Sequence, residues 1–246
     1  MRISLFKNIF SVLFYPILAI ILFGLFFPAS LSAMTESKLI ANNAGSGDAF
    51  GSAVSVYGDI ALLGAPMEDA PTNSGAAYIY RYDGVNWIEE TKLTASDGGG
   101  SDAFGSAVSM SGNAVLVGAR NDTNGSAYIF GSTWREESIL RASDGAAIDY
   151  FGNTVSLYND KALIGATYDD DLGPSSASAY LFQYDGTTWL ETSKLKASDG
   201  MAWDKWGISV SIYESTMLVG AHFHSDGVIQ AGAATSSSAL SFLAAA

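Results

Sequence analysis

The chain has 246 residues, no cysteine, only two histidines and a formal net charge of −13. Without cysteine it can hold no disulfide framework, thiolate metal site, cysteine nucleophile or lipid-modified cysteine. So large an acidic excess repels phosphate backbones and argues against a nucleic-acid partner.

Residues 1–33 stand apart in composition. Arg2 and Lys7 precede an apolar run from Ile9 to Phe27, and Pro28 with Ala29, Ser30, Ser32 and Ala33 follows. This is the pattern of a secretory signal peptide. The run of 19 residues also approaches the roughly 20 that span a bilayer, so an uncleaved signal anchor is the second reading. Either reading places the remainder outside the cytoplasm, whether secreted, periplasmic or at the cell surface, with membrane contact only through the leader. That remainder carries 10 basic against 25 acidic residues.

Four units follow, starting near residues 50, 104, 151 and 206, and each opens on an aromatic-Gly pair followed fourteen residues later by Gly-Ala. The pairs are Phe50-Gly51 with Gly64-Ala65, Phe104-Gly105 with Gly118-Ala119, Phe151-Gly152 with Gly165-Ala166, and Trp206-Gly207 with Gly220-Ala221. Self-similarity at this period marks a repeat array. In the first unit Ser52 to Tyr57 alternates before a Gly58-Asp59 turn, and Ile60 to Ala65 is a second strand. An acidic loop then leads to a third strand at Ala76 to Arg81, an Asp83-Gly84 turn and a fourth strand at Trp87 to Leu93. The second and third units repeat this order, with fourth strands at Trp134 to Leu140 and Trp189 to Leu195. No segment after the leader has a helical period, which predicts an all-β protein built of four-stranded antiparallel sheets arranged as a β-propeller.

The repeated FG and GA signatures, with Pro66 completing Gly-Ala-Pro in the first unit, resemble the FG-GAP repeats of the integrin α-chain propeller and its bacterial secreted relatives. The resemblance spans residues 34–234. It implies a propeller used for surface binding or adhesion, with a protein or glycan of the cell surface or matrix as ligand. Integrin-type units often carry a calcium loop between the two signatures. Here that interval holds only Gly58-Asp59, Gly112-Asn113, Asn159-Asp160 or Glu214-Ser215, too short for such a loop.

The fourth unit departs from the pattern at Thr235, which replaces Tyr78, Tyr128 and Tyr180 of the others, and residues 235–246 form a Ser/Ala tail expected to be irregular. Glu36-Ser37-Lys38-Leu39 is similar to Glu90-Thr91-Lys92-Leu93 and Thr192-Ser193-Lys194-Leu195, so residues 36–43 are expected as an outer strand of the closing blade. A closed four-bladed ring and a truncated longer propeller both fit. The second would leave blade edges open to self-association.

Acids recur outside the FG-to-GA interval. Each linker has an Asp or Asn five residues before an Asp that is separated from the aromatic-Gly by one intervening residue: Asn43 and Asp48, Asp97 and Asp102, Asp144 and Asp149, Asp199 and Asp204. The loops after Gly-Ala add Glu68, Asp69, Asp122, Asp169, Asp170, Asp171 and Asp226, and propeller topology puts linkers and loops on one rim. Oxygen ligands in flexible loops suit calcium. The candidate calcium ligands are Asp169, Asp171, Asp122, Asp69, Asp97, Asp102, Asp144, Asp149, Asp199 and Asp204. The alternative is that the linker aspartates cap turns by accepting backbone N–H groups. His222 and His224 could face one way on a strand end, but no third ligand accompanies them. Trp87, Trp134 and Trp189 suit packing of outer strands.

No catalytic constellation emerges: the two histidines sit together, no nucleophile elbow accompanies them, and the best-placed acids occupy repeated turn positions. The expected function is therefore a non-enzymatic, exported binding or adhesion module with calcium in its loops. An accessory propeller of a secreted hydrolase and a purely structural array are the alternatives.

Overall fold

The structure is a computed structural model and describes residues 36–68, 74–225 and 231–238. The leader, Asp69 and Asp226 lie outside these residues. From Leu39 onward the chain is one compact unit. Its strands are β1 (Ala53–Tyr57), β2 (Ile60–Ala65), β3 (Ala76–Tyr82), β4 (Trp87–Leu93), β5 (Phe104–Ser111), β6 (Ala114–Ala119), β7 (Ser126–Phe130), β8 (Glu136–Leu140), β9 (Phe151–Tyr158), β10 (Lys161–Ala166), β11 (Ser178–Tyr184), β12 (Trp189–Leu195), β13 (Trp206–Tyr213), β14 (Thr216–Ala221) and β15 (Ala233–Ser238). They form three four-stranded meanders and a last sheet of three strands, every pairing antiparallel and between chain neighbours. The expected all-β blades are therefore present, and no helix occurs among the described residues.

Local chemistry explains the hairpins. The first residue of each turn inside the FG-to-GA interval takes a left-handed φ, at Gly58, Gly112, Asn159 and Glu214, as a two-residue hairpin requires. In β5, β9 and β13 the pairing slips just after the aromatic-Gly pair, a bulge that turns the aromatic ring inward. Phe104 and Phe151 are fully buried and meet the Tyr128 and Tyr180 rings of their own blades edge-on, at centroid distances of 5.3 and 5.4 Å. In the fourth blade the larger Trp206 faces the smaller Thr235, and its indole N–H donates to Thr235 Oγ1 at 2.6 Å. The two departures from the repeat compensate one another.

The core lies between blades. Leu62, Leu116 and Leu163 occupy the same place in β2, β6 and β10, and all are fully buried against the following blade. Met110, Leu157 and Ile212 receive them on β5, β9 and β13. The glycines of the two signatures meet here: a Cβ on Gly64 would lie 1.9 Å from the Gly105 oxygen, one on Gly118 2.0 Å from the Gly152 oxygen, and one on Gly165 2.2 Å from the Gly207 oxygen. Successive inner strands are also joined by serines, since Leu157 N–H donates to Ser109 Oγ (2.9 Å) and Ile212 N–H to Ser156 Oγ (3.0 Å).

Three expectations change. Residues 36–43 are in no strand; the segment from Ile40 runs along the first blade, where Tyr80 Oη donates to the Ile40 carbonyl, Glu89 accepts from Asn42 N–H and Tyr78 Oη donates to Asn43. Those contacts fix it as a linker rather than as a strand closing the last sheet. The Ser/Ala tail is not irregular throughout: Ala233 to Ser238 pairs along β14, because ladder bonds need only backbone. The strand expected from Trp134 begins at Glu136. The β7 and β8 strands are shorter than their counterparts, and the turn between them, residues 131–135, puts Trp134 at φ 56°, with its N–H donating to the Gly131 carbonyl. The first and last blades do not close on one another: Val54 and Val56 remain 67% and 66% exposed and Leu218 50%.

Candidate functional site

The acid-rich linkers and post-GA loops come together blade by blade. Asp48, Asp102, Asp149 and Asp204 are all buried. Each carboxylate accepts the backbone N–H three residues earlier, from Gly45, Gly99, Ala146 and Met201 at 2.5–2.8 Å. Their carbonyls accept N–H groups from Met67, Asn121, Tyr168 and Phe223 in the loops after Gly-Ala. These four aspartates therefore splice linker to loop as turn caps. Burial pushes the carboxyl groups of Asp102 and Asp149 above the ordinary aspartate range, and neighbouring carboxylates add to it.

A second set of acids sits three residues beyond each Gly-Ala alanine or its equivalent. Glu68, Asp122 and Asp169 are buried there, and His224 holds the fourth place. Asp122 Oδ2 takes hydrogen bonds from Ser126 Oγ at 2.5 Å and Tyr128 Oη at 3.1 Å, while Asp97 lies 2.8 Å from the same phenol. Arg141 reaches Asp97 at 2.6 Å and Asp122 at 3.4 Å. In the third blade Tyr180 Oη lies 2.8 Å from Asp169 and 2.9 Å from Asp144. Lys194 stands among Asp144 (2.7 Å), Asp169 (2.8 Å) and Asp171, and Lys196 also pairs with Asp171 at 2.7 Å. In the first blade Lys92 and Asn43 both reach Glu68 Oε1, at 2.8 and 2.9 Å.

One phenolic proton shared between two carboxylates is hard to remove, so burial first and the acids second push Tyr128 and Tyr180 far above the ordinary tyrosine range. Tyr78, whose partner is the neutral Asn43, is pushed up to about 12, mainly by burial. Burial opposes the charges of Asp97 and Asp144, yet Tyr128 with Arg141, and Lys194 with Tyr180, outweigh it and hold both carboxyls low. Lys194 and Lys196 hold Asp171 low as well. Burial likewise opposes the charge of Lys194, but Asp144, Asp169 and Asp171 hold its pKa above the ordinary value.

A pH profile follows from these directions. Carboxyls held low contribute stability that is complete above their unfolded value, roughly 4, and lost as pH falls through the folded value. Lys194 contributes below its unfolded value of about 10.4 and loses that contribution only as pH rises through its higher folded value. The raised carboxyls of Asp102 and Asp149 act oppositely to the lowered ones, favouring the fold as they protonate. The melting temperature is therefore expected to hold steady across the neutral range and to fall below about pH 4, as differential scanning calorimetry in matched ionic strength would record.

The fourth blade departs from this arrangement. His224 Nδ1 lies 2.9 Å from Asp204 Oδ2 and Nε2 3.5 Å from Asp199 Oδ2. No fourth strand supplies a Lys or Arg to this sheet among the described residues, and an imidazole stands where the other blades place an acid. His222 is exposed and its ring centroid lies 3.9 Å from that of Phe223, so the two histidines do not converge on one point. Among the described residues no group of three His, Cys, Asp or Glu is placed to hold a metal ion.

The family model for the FG-GAP repeat matches residues 34–80, 87–130, 134–182 and 189–234. The chain belongs to the FG-GAP repeat family. The matched segments 87–130 and 134–182 run from the start of one blade's fourth-strand region into the third strand of the next blade, so the FG-GAP repeat is offset by one strand from the structural blade. No curated protein matches the chain.

Beside the acids on the FG-GAP rim lies a feature that the sequence did not single out. A cleft of about 650 Å³ opens between the third and fourth blades, lined by Tyr168, Trp203, Lys205, Phe223, Met201 and Ser225 among others. Trp203 is 61% exposed. Lys205 Nζ lies 4.3 Å from the Tyr168 ring centroid and donates to the Tyr168 hydroxyl at 2.9 Å. Tyr168 and Phe223 occupy one position in the repeat, directly before Asp169 and His224, and an alignment of the units on Gly-Ala would have paired them. Trp87 and Trp189 instead pack on Tyr82 and Tyr184, and Trp134 Nε1 donates to Glu90.

Proposed function

We propose that this FG-GAP chain is a non-enzymatic binding module that works outside the cytoplasm and takes a neutral glycan in the cleft between its third and fourth blades. The observation that carries the reading is the solvent-exposed Trp203 facing a cleft with Tyr168, Phe223 and Lys205. Aromatic faces offer apolar area to the C–H face of a sugar, while the Lys205 ammonium and Ser225 hydroxyl supply hydrogen bonds. The acidic excess of the chain disfavours anionic glycans. The export-type leader at residues 1–33 supports placing the module at the cell exterior.

The calcium expected from the acid-rich loops has an internal substitute in this reading. Asp144, Asp169 and Asp171 converge on Lys194, and Asp97 and Asp122 on Arg141. The ammonium and guanidinium thus supply the positive charge that a cation would bring.

Tryptophan fluorescence titrated with a panel of neutral oligosaccharides tests the glycan site. A ligand that quenches the parent should lose roughly tenfold in affinity with Trp203→Ala, the loss expected of one stacking face. Binding that survives this substitution, or a panel without a ligand, would overturn the proposal. Because Trp203 is largely exposed, the variant should keep the parent's melting temperature.

A further inference from the structure

We infer that copies of this chain assemble head to tail, the free face of the first blade in one copy seating on the free face of the last blade in another. The two faces are the halves of the interface that the protein already makes three times between its own blades. Val54 and Val56 hold the β1 places of Val108 and Met110, and Val56 is 66% exposed where Met110, Leu157 and Ile212 are 5–7% exposed. At the other end Leu218 is 50% exposed where Leu62, Leu116 and Leu163 are fully buried. A Cβ on Gly51 would meet nothing within 4 Å, and one on Gly220 would meet only Ser209 of its own blade. Both glycines are thus ready for the close backbone approach seen at Gly64 and Gly105. Ser211 occupies the place of Ser109 and Ser156, which accept backbone N–H groups from the following blade.

The occupant is a second copy because the fit is directional. The β1 face supplies the receiving side chains and the N–H row, and the β13–β14 face supplies Leu218, Gly220 and the serine acceptor. Two β1 faces, or two β14 faces, would repeat one half and lack the other. The contact is confined to the inner strands, since Ser236 stands where Ile79, Ile129 and Leu181 lie in the other blades. Association through so partial a face is reversible and concentration-dependent. Because the interface is heterologous, it builds a ring or an open chain according to whether the rotation closes.

Sedimentation velocity on the full chain, over roughly a hundred-fold range of concentration, reads the assembly. The parent should sediment faster as concentration rises. Val56→Asp and Leu218→Asp each charge one exposed face, so each should stay a monomer with the parent's far-UV circular dichroism. Mixed in equal amounts the two variants should form a dimer, because each retains the face that the other has lost. A parent that stays monomeric, single variants that still assemble, or a mixture that fails to dimerise would each overturn the inference. Assembly through the apolar leader falls under the second outcome, since it would survive both substitutions.

Discussion

Replacing Lys194 by Met is expected to destabilise the protein by about 3 kcal/mol, because it leaves the buried Asp169 carboxylate without its cation. Lys194 is 14% exposed at its side chain and Asp169 5%, so solvent screens this pair weakly; Asp144, at 48%, is screened more and adds less. A urea melt of Lys194→Met against the parent measures the loss as a shift in midpoint at constant slope. A second measurement tests what the ammonium replaces. Calcium in millimolar excess, against chelator, should raise the midpoint of Lys194→Met, in which Asp144 and Asp169 have lost their cation and Asp171 keeps only Lys196, and leave the parent unchanged. An equal rise in the parent would assign these acids to calcium in the native protein. The same substitution should lift the carboxyl of Asp144, since Lys194 is the strongest influence holding it low against burial.

Gly118→Ala is expected to cost about 3 kcal/mol or more, near the upper end of what overpacking produces. Gly118 has no left-handed φ, so alanine suits its backbone and the whole cost is steric. The added methyl would lie 2.0 Å from the Gly152 oxygen, a backbone atom that can retreat only if blades two and three separate. Gly220→Ala is the internal control. Its methyl would meet the Ser209 hydroxyl at 2.4 Å, a flexible group that can rotate away, and its cost should stay under about 1 kcal/mol. Equal losses at the two sites would show that the interlocked glycines do not bear on stability.

Much of the blade was legible because its determinants are local. Alternation in Val54 and Val56, the two-residue turns and the strand ends at Leu93 and Leu195 follow from residues adjacent in sequence. The turn-cap reading of Asp48, Asp102, Asp149 and Asp204 could also be formed in advance, since each carboxylate acts on a backbone N–H three residues away. The cations opposite the acids could not. Arg141 lies 44 residues from Asp97 and Lys194 50 residues from Asp144, and Arg141, just past the end of β8, stands two positions further along the repeat than Lys92 and Lys194 do. Two different positions at the end of the fourth strand thus solve one electrostatic problem, which a search for aligned residues overlooks. His224 is the converse case. As half of a His-x-His pair without a third ligand it carried no role, whereas its alignment with Glu68, Asp122 and Asp169 assigns it to the acid position of a blade that has no fourth-strand cation among the described residues.

The amino-acid sequence by itself determined the repeat, its strands, the shortness of the interval between the two glycine signatures and the acidic character of linkers and loops. These are properties of spacing and composition, fixed before any two blades touch. Only the tertiary structure decided that the Gly-Ala of one blade meets the aromatic-Gly of the next, that the acids come with their own cations, and that Val56 and Leu218 are left uncovered. The reason is physical: a recurring residue shows that a contact is repeated, but the partner on the other side of that contact is chosen by how successive sheets stack.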